Sequence, residues 1–256
     1  MHDPLLAAAC CSVDIDGPLR VSVESAVPPG SGTGSSAAVT VALLAALDAI
    51  AGRERSMLEL ARAAHAVEVG LGWQSGVQDQ LASAHGGVHL FSIDYPRCTD
   101  VKRLDVSIAA LDERLLTVYL GRPHASSAVH ESVIAHLEAT DSPLLEPLRV
   151  AAVEAFDALC TEDLRAYGLA LVAAHEGTRR LHPGLVSHLA DELTSVAAQL
   201  GALGWKVNGA GGEGGSLAVL APEDPLAVAR LRNALGRVSG CSVLRSRVAR
   251  AGVRVA

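Results

Sequence analysis

One stretch constrains this chain more than any other: Pro28-Pro29-Gly30-Ser31-Gly32-Thr33-Gly34-Ser35-Ser36-Ala37-Ala38. It follows an alternating segment, Arg20 to Val27 with Val21, Val23 and Val27, that reads as a strand. It precedes an apolar run, Ser36 to Ala51, that reads as a helix closed by Gly52. Glycines at alternate positions let the backbone turn sharply and approach a ligand without side-chain clash. The following helix points unpaired N–H groups and its positive dipole end back at the loop. That combination holds phosphate. Ser35 and Ser36 add hydroxyls there, where one could meet Mg2+. The same residues also fit a plain Gly-Ser turn with a serine cap.

Two familiar phosphate loops do not fit. A Walker A loop needs a lysine that this stretch lacks. A dinucleotide fingerprint needs GxGxxG and an acidic residue about 20 positions on, whereas Asp48 falls inside the helix. Composition removes other classes. The 28 acidic and 21 basic residues give a net charge of −7, against a nucleic-acid partner. Aromatics are only 3%, too few for base stacking and few enough that Ala, Val and Leu must build the core. Cysteines 10, 11, 98, 160 and 241 are odd in number and form no CxxC, so reduced thiols in a cytoplasmic protein are expected. The N-terminus lacks the basic and apolar regions of a signal peptide. The longest apolar run, Ala37 to Ile50, is short and interrupted by Asp48, so no membrane span is expected.

The rest of the chain reads as α+β. Ser56 with Glu59 forms a capping box for a helix to about Val69. A short helix at Val77 to Ala84 precedes Gly86-Gly87 and a strand at Val88 to Ile93. Leu115 to Leu120 is a second strand. Helices are expected from Ser142-Pro143 toward Cys160, over Asp163 to His175, and from Ser187 to Leu200 before Gly201. A strand at Ser216 to Leu220, a helix from Asp224-Pro225 and a strand at Ser242 to Arg247 complete the reading. A domain boundary falls between 105 and 120.

Two carboxylates lie downstream of the loop. Asp79 lies in Gly76-Val77-Gln78-Asp79-Gln80, and Glu68 lies eleven residues earlier near a helix end. An acceptor hydroxyl must lose its proton as it attacks phosphorus, so a carboxylate base helps by about 10²–10⁴-fold. A second carboxylate can hold a metal against phosphate charge. On spacing alone each is more often a structural residue, a solvated loop Asp and a helix-end Glu. A second glycine-rich stretch, Gly209-Ala210-Gly211-Gly212-Glu213-Gly214-Gly215, follows Trp205, Lys206 and Asn208. Ten histidines form no HExxH, and His124, His130 and His136 scatter around a helix. His175 and His182 read as surface or capping residues that could also touch substrate. Trp73 and Gln74 either line a pocket or pack their loop. No GxSxG elbow is present.

Taken together, Pro28 to Ala38, the segment from Gly76 to Gly87 and the segment from Gly204 to Ser216 resemble, in order, three motifs of the GHMP kinases. Thr33 stands where leucine is usual, and Glu213 replaces a glycine. The resemblance implies ATP and Mg2+ as cofactors. It implies that Pro29, Gly30, Ser31, Gly32, Thr33, Gly34, Ser35, Ser36 and Ala37, with Gly211 and Gly212, surround the nucleotide. Ser36 and Glu68 would hold Mg2+, and Asp79 would be the catalytic base. A carboxylate beside phosphates would be repulsive, so the Glu213 side chain is expected to point away. Leu116 to Gly121, Arg122 and Ser126-Ser127 resemble the sugar-kinase branch with heptose 7-phosphate kinases, as does His182 to Ser187.

The family's opening motif, PGRxxxxGEHTD, has no match in the 27 residues before Pro28. The resemblance implies an α+β, two-domain fold with its N-terminal part truncated. Residues 1–112 would form an incomplete ribosomal protein S5 domain 2-like ATP-binding part, and 113–256 a ferredoxin-like C-terminal part. The expected activity is transfer of the γ-phosphate to a hydroxyl of a sugar or sugar phosphate. The alternative is an inactive remnant that binds nucleotide or a protein partner. Neither nucleic acid nor membrane is an expected partner, and association as a homodimer is left open.

Overall fold

The computed structural model describes residues 3–105, 108–123, 131, 133–137, 143–209 and 211–256. It divides into two compact units. One comprises residues 1–27, 34–103 and 249–256, and the other residues 28–33 and 104–248.

The first unit is built on four helices. Helix α1 (Pro4–Cys11) starts at Asp3, whose carboxylate accepts from the Leu5 and Leu6 amides, with proline at the first helical position. Helix α2 (Ser35–Ile50) follows the glycine loop, and Gly52 closes it with φ 65°. Helix α3 (Met57–Gly70) opens on the expected capping box: the Ser56 amide donates to Glu59 at 2.8 Å, and the Glu59 amide to Ser56 Oγ at 3.3 Å. Helix α4 (Gln78–His85) is short and precedes a two-stranded hairpin, β1 (Val88–Asp94) and β2 (Arg97–Leu104). Leu44, Leu47, Leu60, Ala64, Leu81 and Ala84 form the shared core, with Leu5 and Ala9 of α1 against them. The last residues return here. The Gly87 amide donates to Ala249 O, and the Val253 amide donates to Ser83 O at 3.2 Å.

The expected strand at 20–27 does not form, and Val21 and Val23 stay exposed. Alternation selects a face, but a strand also needs a neighbour for its N–H and C=O groups. Among the described residues none pairs with this segment.

The second unit is a four-stranded antiparallel sheet with helices. Its strands are β3 (Leu115–Tyr119), β4 (Gly204–Val207), β5 (Ser216–Leu220) and β6 (Ser242–Leu244), in spatial order β4-β5-β3-β6. Helix α5 (Ile108–Arg114) precedes β3. Between β3 and β4 come α6 (Glu146–Cys160), α7 (Leu164–Leu181) and α8 (His188–Gln199), and α9 (Pro225–Leu235) lies between β5 and β6. A strand slipped between two others joined through helices is the ferredoxin-like arrangement. Register places Leu116 opposite Val219 and Val118 opposite Leu217, all buried with Leu193 of α8 and Leu231 and Leu235 of α9.

Some bounds differ from expectation. Helix α6 begins at Glu146 after a single 3-10 turn at Pro143–Leu145. Helix α7 runs six residues past His175, to Leu181. Strand β6 stops at Leu244 rather than Arg247. No described helix is long and apolar enough to cross a membrane.

Candidate active site

The glycine loop adopts the conformation its residues allow. Gly30, Gly32 and Gly34 have φ of 69°, 68° and 70°, the left-handed region that a side chain disfavours. Within the second unit, Gly32 lies against the other glycine-rich turn. A Cβ there would come 3.2 Å from Asn208 O and 3.6 Å from Gly215 Cα. The Ser31 and Thr33 hydroxyls pair at 2.7 Å with Ser31 fully buried, so the unusual Thr33 satisfies a polar neighbour.

The turn from Asn208 to Gly215 is held by its own amides. Gly211 N donates to Asn208 O at 3.3 Å and Gly212 N to Leu185 O at 2.9 Å. Both N–H groups are spent inside the protein, so Gly211 and Gly212 shape the turn rather than offer donors. Glu213 is exposed, and Ala210 lies outside the described residues.

In the first unit, helix α2 begins at Ser35, one residue earlier than read from sequence, with Gly34 as its cap. Gly34 has no side chain to bond the first amides, and no acidic residue occupies the first turn. The first turn of α2 thus has no side-chain cap from its own cap residue, and its positive dipole end faces the loop. Ser36 is exposed. Ala37 is buried in the core, so only its backbone can face a ligand.

Asp79 stands in the first turn of α4, exposed, with its carboxylate against this cap. A Cβ on Gly34 would lie 3.1 Å from Asp79 Cγ and 3.2 Å from Oδ2. The fold therefore brings the proposed base to the last glycine of the loop.

Glu68 is buried, at 3% exposure, in the last turn of α3. Its Oε2 accepts from the Ser75 hydroxyl and from Gln80 Nε2 at 2.8 Å, while its Oε1 has no partner. His65 Nε2 meets Ser75 O at 2.8 Å. Sequence reading did not single out His65, Ser75 or Gln80. Gln80 sat inside a quoted motif, but nothing in a string of residues says where an amide points. A buried carboxylate oxygen without a donor suits a hard cation. Among the described residues no group of three or more His, Cys, Asp or Glu could hold a metal. A Mg2+ held here would take its other ligands from phosphate and water, as that ion commonly does.

The histidines divide by role. His182 Nδ1 accepts from the Gly184 amide at 3.1 Å, a capping contact. His175 is buried on α7, with Nε2 3.3 Å from Arg179 and Nδ1 unpartnered. Burial and the Arg179 charge push its pKa below the usual histidine value. Arg179 pairs in turn with Asp191, whose hydrogen bond lowers that carboxyl's pKa. Trp73 and Gln74 are exposed. His124, His130, Ser126 and Ser127 lie outside the described residues. A cleft of about 510 Å³ in the second unit is lined by Leu111, Arg114, Leu159, Arg165, Leu203 and Glu223 among others, and by none of the candidate residues.

Comparison with known proteins gives a consistent picture. Residues 5–87 match the GHMP kinases N terminal domain. The chain is 44% identical over 96 residues to a mevalonate kinase of Methanothermobacter thermautotrophicus, covering 37% of this chain and 32% of that protein. It is 31% identical over 238 residues to a galactokinase of Mycobacterium tuberculosis, covering 80% of this chain and 64% of that protein. It thus spans less than two thirds of either relative. The structure superposes on Lactococcus lactis galactokinase complexed with galactose at a TM-score of 0.67 and 19% identity, over 88% of this chain and 68% of that one. That likeness shows the fold.

Proposed function

From the place of this chain in the GHMP kinase family, set by its N-terminal domain, we propose that it is an ATP-dependent small-molecule kinase. The acceptor is a hydroxyl of a sugar or sugar phosphate. The observation that carries the reading is the Asp79 carboxylate lying against Gly34, the side-chain-free cap of α2. A carboxylate and a helix N-terminus whose cap residue has no side chain meet at one place, which supports transfer of a phosphoryl group to an alcohol.

The chemistry follows from those parts. Backbone N–H groups at the start of α2, from Gly34 to Ser36, bind the phosphates. Glu68 Oε1 and the Ser36 hydroxyl would hold Mg2+, which would neutralise phosphate charge. The acceptor oxygen bonds to the γ-phosphorus as the bond to the bridging oxygen breaks. Its proton passes to Asp79, and ADP leaves. Most of the rate gain is positioning and charge stabilisation, as in other phosphoryl transfers.

Leu116 to Arg122 favours a heptose 7-phosphate-like acceptor, and the mevalonate kinase relatives make mevalonate the arm to test beside it. Asp79→Asn is expected to keep MgATP binding and to lower ADP release with the best acceptor by ~100-fold or more. Undiminished release would remove Asp79 as the base. A second reading, nucleotide binding without turnover, draws on the unpaired segment 20–27 with Val21 and Val23 exposed. It expects ATP binding but no ADP from galactose, heptose phosphates or mevalonate.

A further inference from the structure

The buried network behind Glu68 has more order than a metal-binding carboxylate alone needs. Gln80 follows Asp79 directly on α4. One turns outward and is exposed, while the other turns inward and is 1% exposed. The inward amide donates to Glu68 Oε2 at 2.8 Å and approaches Ser75 Oγ at 3.3 Å. Its orientation is fixed by chemistry. Turning the amide over would set its oxygen against a carboxylate oxygen, acceptor against acceptor. Ser75 adds a second donor to the same Glu68 oxygen, and His65 holds the Ser75 carbonyl.

One oxygen of Glu68 is therefore saturated and the other is bare. Oε1 is buried and has no hydrogen-bond partner. An ionised oxygen left so is costly unless a cation meets it. We propose that Gln80 is a positioning residue: its amide, with the Ser75 hydroxyl, pins Glu68 Oε2 so that Oε1 is the oxygen presented to the metal. Gln80 acts through Glu68, and its own Oε1 is likewise buried without a hydrogen-bond partner. Because it shares α4 with Asp79, the same helix sets the base and braces the metal ligand. This inference rests on Glu68 being a Mg2+ ligand. The bland role for Gln80 is to staple the loop from Leu71 to Val77 onto α3.

The two roles separate in a binding experiment that needs no turnover. ATP affinity is measured by calorimetry across a MgCl2 series and again in EDTA, for wild type, Gln80→Leu and Glu68→Gln. Loss of a residue that orients a metal ligand typically costs 10–100-fold in metal affinity. Gln80→Leu is expected to raise the Mg2+ needed for half-maximal enhancement of ATP binding at least ~10-fold, with affinity in EDTA unchanged. Equal loss of affinity with and without Mg2+ would assign Gln80 the stapling role and overturn the proposal. An unchanged Mg2+ requirement in Gln80→Leu, with that of Glu68→Gln raised, would overturn it while leaving Glu68 as ligand. An unchanged requirement in both variants would remove the Glu68 reading and this inference with it. If Gln80→Leu does not fold, as judged by circular dichroism, Ser75→Ala removes the other donor and supplies the same comparison.

Discussion

Gly34→Ala tests the geometry of the site, because two separate effects of one methyl group can be told apart. Gly34 has φ 70°, and a side chain in the left-handed region costs about 1–2 kcal/mol. The added Cβ would also lie 3.1–3.2 Å from the Asp79 carboxyl, closer than ordinary carbon contact. The carboxylate must then give by a few tenths of an ångström. A misplacement of about 1 Å costs roughly 100-fold in rate, so a smaller shift is expected to cost about tenfold. Gly52 supplies the control. Its φ is 65°, but a Cβ there meets nothing within 4 Å. With a urea slope of about 2 kcal/mol/M, both variants should unfold about 0.5–1 M earlier than wild type. Only Gly34→Ala should also lose ADP release. Full activity in Gly34→Ala would refute the claim that this contact places the base. An unmoved midpoint in Gly52→Ala would refute the conformational cost.

Two further outcomes follow from buried groups away from the site. Asp48 is 4% exposed, pairs with Arg55 at 2.9 Å and leaves its other oxygen unpartnered, so Arg55→Met strands a buried charge. Urea unfolding should show a loss of about 3 kcal/mol, and a loss below about 1 kcal/mol would mean that water reaches Asp48. His175 has its pKa lowered by burial and Arg179, so below the unfolded value of about 6.5 the unfolded chain binds the proton more readily. Stability should be fully present above that value and fall as pH drops toward 5.5, where the carboxylates remain ionised. His175→Gln should flatten that part of the profile, and an unchanged slope would assign it to other groups.

How much of this was legible in the sequence depends on the kind of signal. Asp224-Pro225 announced α9 correctly, and Ser56 with Glu59 announced α3, because caps are local chemistry. Asp3-Pro4 is the same signal for α1, but the short apolar run behind it also has the character of a leader segment. Strand β2 escaped because only Cys98 and Leu104 in Arg97–Leu104 are buried, which leaves no alternation to read. Segment 20–27 shows the converse: alternation is a local property and pairing is not. The loop could be picked out by residue type and order, and Glu68 and Asp79 as candidates by the resemblance of their segments to the family's motifs. The Ser75 and Gln80 donors could not, because their roles depend on which carboxylate oxygen they reach once α3 and α4 pack.

The central claim is a nucleotide-phosphate site at the start of α2, and melting with and without MgATP tests it most directly. A ligand at 100 times its Kd adds about 2.7 kcal/mol. For a chain of this size that is a rise of roughly 5–10 °C. That rise is expected with MgATP, none with NADH, and a smaller one for ATP in EDTA, where Glu68 and Ser36 have no metal to hold. A folded sample whose melting temperature does not move with MgATP would contradict it.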